Sequence, residues 1–447
     1  MKRAIIFSLS LFSFFAVKAQ QKPGDISPTA KFIDADKIGY FNKGAAIIQK
    51  GELTALIDSS GNFIIPYGVY LLEYVQDRDE KRARDFQSGI FKAKKKKADY
   101  GTEDLFINSK GKVLIDKKIC EANFKTADKY SRYDFRISDD PNYIELVSSN
   151  AQMPTFYIDW TGKSFQVTKP LRNFSEGRGL INAGDGMMKF ITLENKPLNS
   201  EVYEDGQPFI NGLACVTKKD AYGNRKYGFI NSKGELVIPF QFSTLPDNFY
   251  GNATKVLPQN QDQFQYAFIN KSGEVIYKHT AEYREKLEGA YFDAFYGNLC
   301  ISRPYGKHLF TTKGYLTSIQ ENIKGMKLDA IKNKNIVEIA GFSYLSWIKN
   351  HVNNILVYDK QENIQSIRTH TSSYIDLNNG KVIDAPFARI ESSDVGANHL
   401  VFDPVSQLAY AKMYKGYSAS RRAEYIEGYI NRDGVFVIVV KKETSIW

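Results

Sequence analysis

The chain has 447 residues, 43% hydrophobic and 25% charged, a balance that fits folded globular protein and excludes a disordered polymer. Lys and Arg number 60 against 50 Asp and Glu, a mildly basic balance of +10, and 3 Cys exclude a disulfide framework. The 28 Tyr and 30 Phe favour pleated, half-buried surfaces, so an all-β body is expected.

Residues 1–19 read as a secretory signal. Lys2 and Arg3 precede an apolar run over 4–17, and Ala16 and Ala19 place small residues at a cleavage site. The run is shorter than the ~20 apolar residues a membrane span needs. Cleavage after Ala19 removes Lys2, Arg3 and Lys18, leaving 57 − 50 = +7. No later apolar run reaches ~18 residues, so no transmembrane segment is expected in the mature chain. The expected location is the periplasm, the outer cell surface or the extracellular space. Residues 20–37, with Pro23, Gly24, Ser27 and Pro28, read as a linker.

From 38 to 447 one short sequence recurs. An apolar strand meets a turn opened by Asp or Asn and closed by Gly, and a second apolar strand follows. Examples are ALIDSSGNFIIP (Gly61), LFINSKGKVLID (Gly111), FYIDWTGKSFQV (Gly162) and YGFINSKGELVIP (Gly234). Further copies are AFINKSGEVIYK (Gly273), HLFTTKGYLTSI (Gly314), SYIDLNNGKVID (Gly380) and GYINRDGVFVIV (Gly434). The glycines are spaced by 50, 51, 72, 39, 41, 66 and 54 residues, and a worn copy around Glu194 and Asn195 would divide the 72. Asp or Asn promotes the turn by bonding the backbone two residues on. Gly supplies the left-handed conformation of a short hairpin loop. Ile57, Ile107, Ile158, Ile230, Ile269, Phe310 and Ile430 all stand four residues before their glycine, a column that stacked repeats bury.

A second turn precedes each hairpin, as in FNKGAAII (Gly44), FQSGIFKA (Gly89), FSEGRGLI (Gly177) and FINGLACV (Gly212), with Asn252 and Asn298 in the Gly place elsewhere. A unit is therefore a three- or four-stranded antiparallel meander, and about eight to ten units are expected, some degenerate. Their unequal lengths favour an open or curved solenoid, with propeller-like closure as the alternative.

These motifs carry a resemblance. FSEG at Phe174-Ser175-Glu176-Gly177, and Tyr227-Gly228 where the family has Trp-Gly, resemble the WG (KWG) repeat family over most of 38–440. The nearest copies are 209–242 and 249–277. None of the three tryptophans fills the Trp-Gly position, and several units carry long inserts. The resemblance implies a β-repeat scaffold and no catalytic residue.

Little else in the chain suggests chemistry. The run Lys92, Lys94, Lys95, Lys96 and Lys97 is either a patch for an anionic partner or a lysine-blocked strand end. No aromatic-basic module accompanies it, which disfavours nucleic acid. The five histidines (His279, His308, His351, His370 and His399) show no ligand spacing, and each hairpin loop holds too few carboxylates for calcium. No nucleophile elbow, Walker loop or dinucleotide fingerprint is present, so no cofactor is expected. Cys215 and Cys300 fall in apolar strands and read as buried thiols. Short helices are expected over 281–289 and 74–86. The sequence thus points to a non-catalytic exported scaffold for protein or envelope glycan. The alternative is an envelope hydrolase using carboxylates of adjacent repeats.

Overall fold

The computed structural model describes residues 21–75, 88–97, 101–124, 132–150, 152–168, 170–257, 265–286, 289, 291–292, 295, 299–303, 308–312, 336–338, 355–376, 381–388 and 400–441. Gly314, Gly380, His351, His399 and the expected signal lie outside them. The described chain is all-β with two short helices. Its antiparallel sheets follow one another in chain order, and none closes on itself.

The first unit shows the plan. Strands Lys37–Asn42, Ala45–Lys50, Leu53–Asp58 and Phe63–Ile65 pair in sequence order as an antiparallel meander. The plan recurs at 71–115 (unit 2), 133–167 (unit 3), 172–192 (unit 4), 205–242 (unit 5), 253–279 (unit 6) and 291–338 (unit 7). Two more units, 355–388 (unit 8) and 409–441 (unit 9), share a seven-stranded sheet, joined at Phe387 and Met413.

The apolar strands read as continuous runs because both faces are covered. In Thr102–Asn108, Leu105 and Ile107 enter the cluster with unit 1, while Phe106 enters the cluster with unit 3. Such clusters join units 1–2, 2–3, 3–4, 4–5, 5–6, 6–7 and 8–9. A further cluster joins unit 9 to unit 1, where Tyr410, Tyr429 and Ile438 meet Phe41, Ile48 and Ile57. The isoleucine column is buried throughout, no member from Ile57 to Ile430 being more than 2% exposed.

Each hairpin turn is held by one side chain. Asn231 Oδ1 accepts the N–H groups of Lys233 and Glu235 at 2.9 and 3.1 Å, and Gly234 N–H bonds Asn231 O at 2.9 Å. Asp58, Asn108, Asp159, Asn270 and Asn431 repeat this double bond to residues two and four places on. Gly234 has φ +83°, and Gly61, Gly111, Gly162, Gly273 and Gly434 share its sign. In the worn copy of unit 4, Asn195 takes the glycine's place at φ +61°, and its N–H bonds Thr192 O at 3.0 Å. Asn tolerates this region better than other side chains.

Gly228 is needed for a different reason. A Cβ there would lie 2.7 Å from Ile238 O, because the hairpin partner carries a bulge and its backbone comes close. Gly428 meets Ile438 O in the same way.

Two expectations are corrected. Residues 20–37 are not only a linker: strand Ile26–Asp34 pairs in parallel with Phe436–Lys441, from Ile26 opposite Phe436 to Asp34 opposite Lys441. Its ladder is backbone-made and most of its side chains stay exposed, so the composition lacks a strand's apolar signature. Tyr74 does not open a helix but ends strand Leu71–Tyr74, its ring stacked on Tyr40 at 4.2 Å; residues 76–87 lie outside the described set. Helix Ala281–Lys286 falls inside the expected 281–289. A helix the sequence reading missed, Lys117–Asn123, is capped by Asp116 and buries Cys120.

Candidate functional site

The lysine run lies on strand Ile90–Lys96 and the turn after it. Pleating divides the run. Ala93 points into the core, while Lys92 and Lys94 share the other face. Lys94 Nζ lies 2.7 Å from Glu73, whose carboxylate raises the lysine's pKa by accepting its hydrogen bond. Lys92 Nζ is 3.8 Å from Asp104. Lys95, Lys96 and Lys97 are exposed at the hairpin end. The five charges therefore do not act as one patch.

A more ordered polar arrangement lies at the opposite end of the sheets, where the upstream turns gather. Lys43 and Gly44, Glu176 and Gly177, and Asn211 and Gly212 are successive positive-φ pairs, the mark of two-residue hairpin turns. Each turn is tied to a neighbouring unit. Asp403 Oδ2, in the segment that leads into unit 9, accepts Gly44 N–H at 3.0 Å, and Asn42 Oδ1 accepts Gly89 N–H of unit 2 at 2.9 Å. Asp140 of unit 3 accepts Glu176 N–H at 2.7 Å, and the Glu176 carboxylate accepts Gly212 N–H of unit 5 at 3.1 Å. Burial raises the Glu176 pKa, and the N–H groups of Gly212 and Asn211 oppose that rise.

Lys43 extends from its turn to place Nζ 4.7 Å from the centre of the Trp160 ring of unit 3. Burial lowers its pKa, while Asp159, Asp140 and Asp403 pull it back up. The cation thus balances two carboxylates of unit 3 and Asp403 from the segment before unit 9, a structural role that also engages the ring face. Lys271 Nζ of unit 6 bonds Asn211 O at 2.8 Å. Sequence reasoning located the upstream turns but missed the contacts that tie them together, among them that of Lys43 with Trp160.

Two cavities of about 330 Å³ each lie between units. One, between units 2 and 3, has apolar walls of Phe106, Phe135 and Ile137 and a rim of Lys92, Asp104 and Arg136. Arg136 is engaged by Glu145, which also accepts the Tyr157 hydroxyl at 3.1 Å. The other lies beside His279, which is 1% exposed, stacks on Tyr266 at 4.6 Å and shares a 2.8 Å hydrogen bond with the Tyr277 hydroxyl. Burial lowers the His279 pKa, and Arg284 adds to the effect.

Among the described residues no three His, Cys, Asp or Glu side chains group as metal ligands. Cys120, Cys215 and Cys300 are buried and form no disulfide. Burial pushes the thiols of Cys120 and Cys215 up to about 11 and about 12, so little reactive thiolate exists at neutral pH. No described helix is long and apolar enough to cross a membrane.

Fold and turns together define an all-β protein of repeated antiparallel hairpin units. The WG containing repeat matches residues 227–256, the hairpin of unit 5 and the start of unit 6, and the chain carries that repeat. No curated protein matches the chain. Among solved structures, a eukaryotic initiation factor is 10% identical over 94% of this chain and 92% of its own, with a TM-score of 0.31. An uncharacterized protein from Listeria monocytogenes EGD-e is 11% identical over 73% of this chain and 100% of its own, at 0.30. Hsv2 of Kluyvelomyces marxianus is 11% identical over 80% and 97%, at 0.27. Likenesses this weak carry no argument about this chain.

Proposed function

We infer that the units close into a propeller-like ring and that the ring is a non-catalytic interaction scaffold. Three contacts support closure over an open solenoid. Unit 1 packs on unit 9 through an apolar cluster, and Asp403 holds the first upstream turn. Gly61 sits against Lys31 and Ile438 of the last sheet, as Gly111 sits against Ile64 of unit 1. Unit 1 thus treats unit 9 as its predecessor.

The observation that carries the scaffold reading is how the polar groups are used. Asp140, Glu176 and Asp403, the carboxylates that gather where units meet, accept backbone N–H groups of neighbouring turns. They hold units in register, and the exposed surface is left to partners. An exported protein with these properties belongs at the cell envelope, with a protein or glycan as its partner.

Chemical crosslinking and affinity capture from envelope extracts test the reading. The mature chain, with an N-terminus near Gln20, is expected to retain the same partner repeatedly and to lose it on unfolding. Hydrolysis of an envelope polymer, abolished by one carboxylate substitution, would replace this reading with the hydrolase.

A further inference from the structure

The outer end of unit 9 gathers tyrosines and cations. Strand Ala409–Tyr417 returns as Ala423–Ile430 through a loop closed by Ser418 N–H to Arg422 O and Arg421 N–H to Ser418 O, both 2.8 Å. Strand alternation carries the row that begins with buried Leu408 and Tyr410 on to Lys412 and Tyr414. Tyr414 lies opposite Tyr425, their ring centres 4.9 Å apart, and Lys412 Nζ lies 4.3 Å from the Tyr425 ring centre. Both rings are half-buried. Strands Ala45–Lys50 and Leu53–Asp58 of unit 1 run 6 residues each, against 9 and 8 here; on the other side the hairpin of unit 8 runs 10 and 10, and its Gln365 Oε1 accepts Tyr417 N–H at 2.7 Å.

Lys415, Arg421 and Arg422 are exposed around the tyrosines. Neither they nor Lys412 has an ion-pair partner among the described residues, unlike Lys92 and Lys94 of the lysine run. Glu424 is exposed nearby, and Glu427 accepts the Tyr410 hydroxyl at 3.1 Å. Four cations thus outweigh the local acid.

We propose that this hairpin end binds an acidic polysaccharide, an assignment that rests on the scaffold reading and names its partner class. Arginine forks match carboxylates bidentately, and a tyrosine ring offers a flat face with a polar edge to a hydroxyl-bearing sugar. No large apolar side chain of 409–430 is exposed, so the end lacks the buried anchor on which a protein partner depends. Exposed charges spread along the hairpin end suit an extended polymer.

Affinity electrophoresis of the mature protein in gels containing polygalacturonate, poly-glutamate or neutral dextran tests this. Polygalacturonate is expected to retard the protein more than poly-glutamate does, and dextran not at all. Lys415→Ser/Arg421→Ser/Arg422→Ser is expected to weaken retention about tenfold or more with an unchanged melting temperature. Tyr414→Leu should weaken it as well, and Lys95→Ser/Lys96→Ser/Lys97→Ser should not. Equal retardation by poly-glutamate, or unchanged retention of the triple arginine-lysine variant, overturns the proposal. So does absence of retardation of the parent, in which case the scaffold reading still stands or falls on the captured partner.

Discussion

At the residue scale, six of the described hairpins depend on an Asp or Asn that spends one oxygen on two backbone N–H groups and on a glycine at the fourth place of the turn. Gly234→Val places a β-branched side chain at φ +83° and its Cβ 2.9 Å from Leu198 O of unit 4. The backbone cost alone is roughly 1–3 kcal/mol. We expect a lower melting temperature with the β-rich circular dichroism retained; a variant that melts with the parent contradicts this account of the turn. His279 gives a pH-dependent counterpart. Burial holds its folded pKa below the ordinary value, whereas the unfolded imidazole takes up its proton near about 6.5. The stability of the neutral, buried form is complete above that pH and is lost as pH falls towards the folded pKa. Between about pH 7.5 and about pH 5.5 the melting temperature of His279→Gln should therefore fall less than that of the parent. Parallel curves would show that His279 is not linked to folding.

At the element scale, the strand Ile26–Asp34 completes the last sheet. Only Ile33 of its side chains is fully buried, so the backbone ladder supplies most of its attachment. Ile33→Pro places a proline ring in the paired strand and removes that strand's one buried side chain, and should open the sheet edge. Hydrogen exchange should then accelerate first over Phe436–Lys441, and protection equal to the parent's would deny the strand a role in that sheet. This element also marks where sequence reading stops. The hairpins were legible because Asp or Asn, Gly and the flanking isoleucines determine their turns within a dozen residues. The terminal strand was not, since its partner lies at the other end of the chain and its side chains carry no apolar alternation. The belt of upstream turns was half legible. Gly44, Gly89, Gly177 and Gly212 stood out, but the contact of Lys43 with Trp160 joins residues from units 1 and 3. The lysine run misled in the opposite direction: adjacent in sequence, its members are separated by the pleat. Lys412, Lys415, Arg421 and Arg422 look scattered in the sequence and are gathered by one hairpin.

At the scale of the whole molecule, a closed ring and an open array of the same units differ in size more than in composition. A compact chain of residues 20–447 has a radius of gyration of about 22 Å. Small-angle scattering is expected to give a value near it. A value well above it with an elongated distance distribution would favour the solenoid. Neighbouring units also share their stabilisation, because each cluster of buried side chains among the described residues belongs to two of them. Damage to one hairpin should spread to both neighbours.

Time enters through the pairing of Ile26 with Phe436. Most ladders in the protein join strands made within moments of each other, such as Ala45 with Asp58. For a flexible chain, bringing together ends 410 residues apart costs about 3 kcal/mol more entropy than closing such a hairpin. The first strand to be synthesised therefore waits with its backbone groups unpaired until the last hairpin has formed. During that interval Phe436–Lys441 presents an open edge, and an N-terminal strand of another molecule can occupy it as readily as the chain's own. Synthesis at high concentration would then favour molecules linked through exchanged first strands, and slow or dilute production would favour single ones.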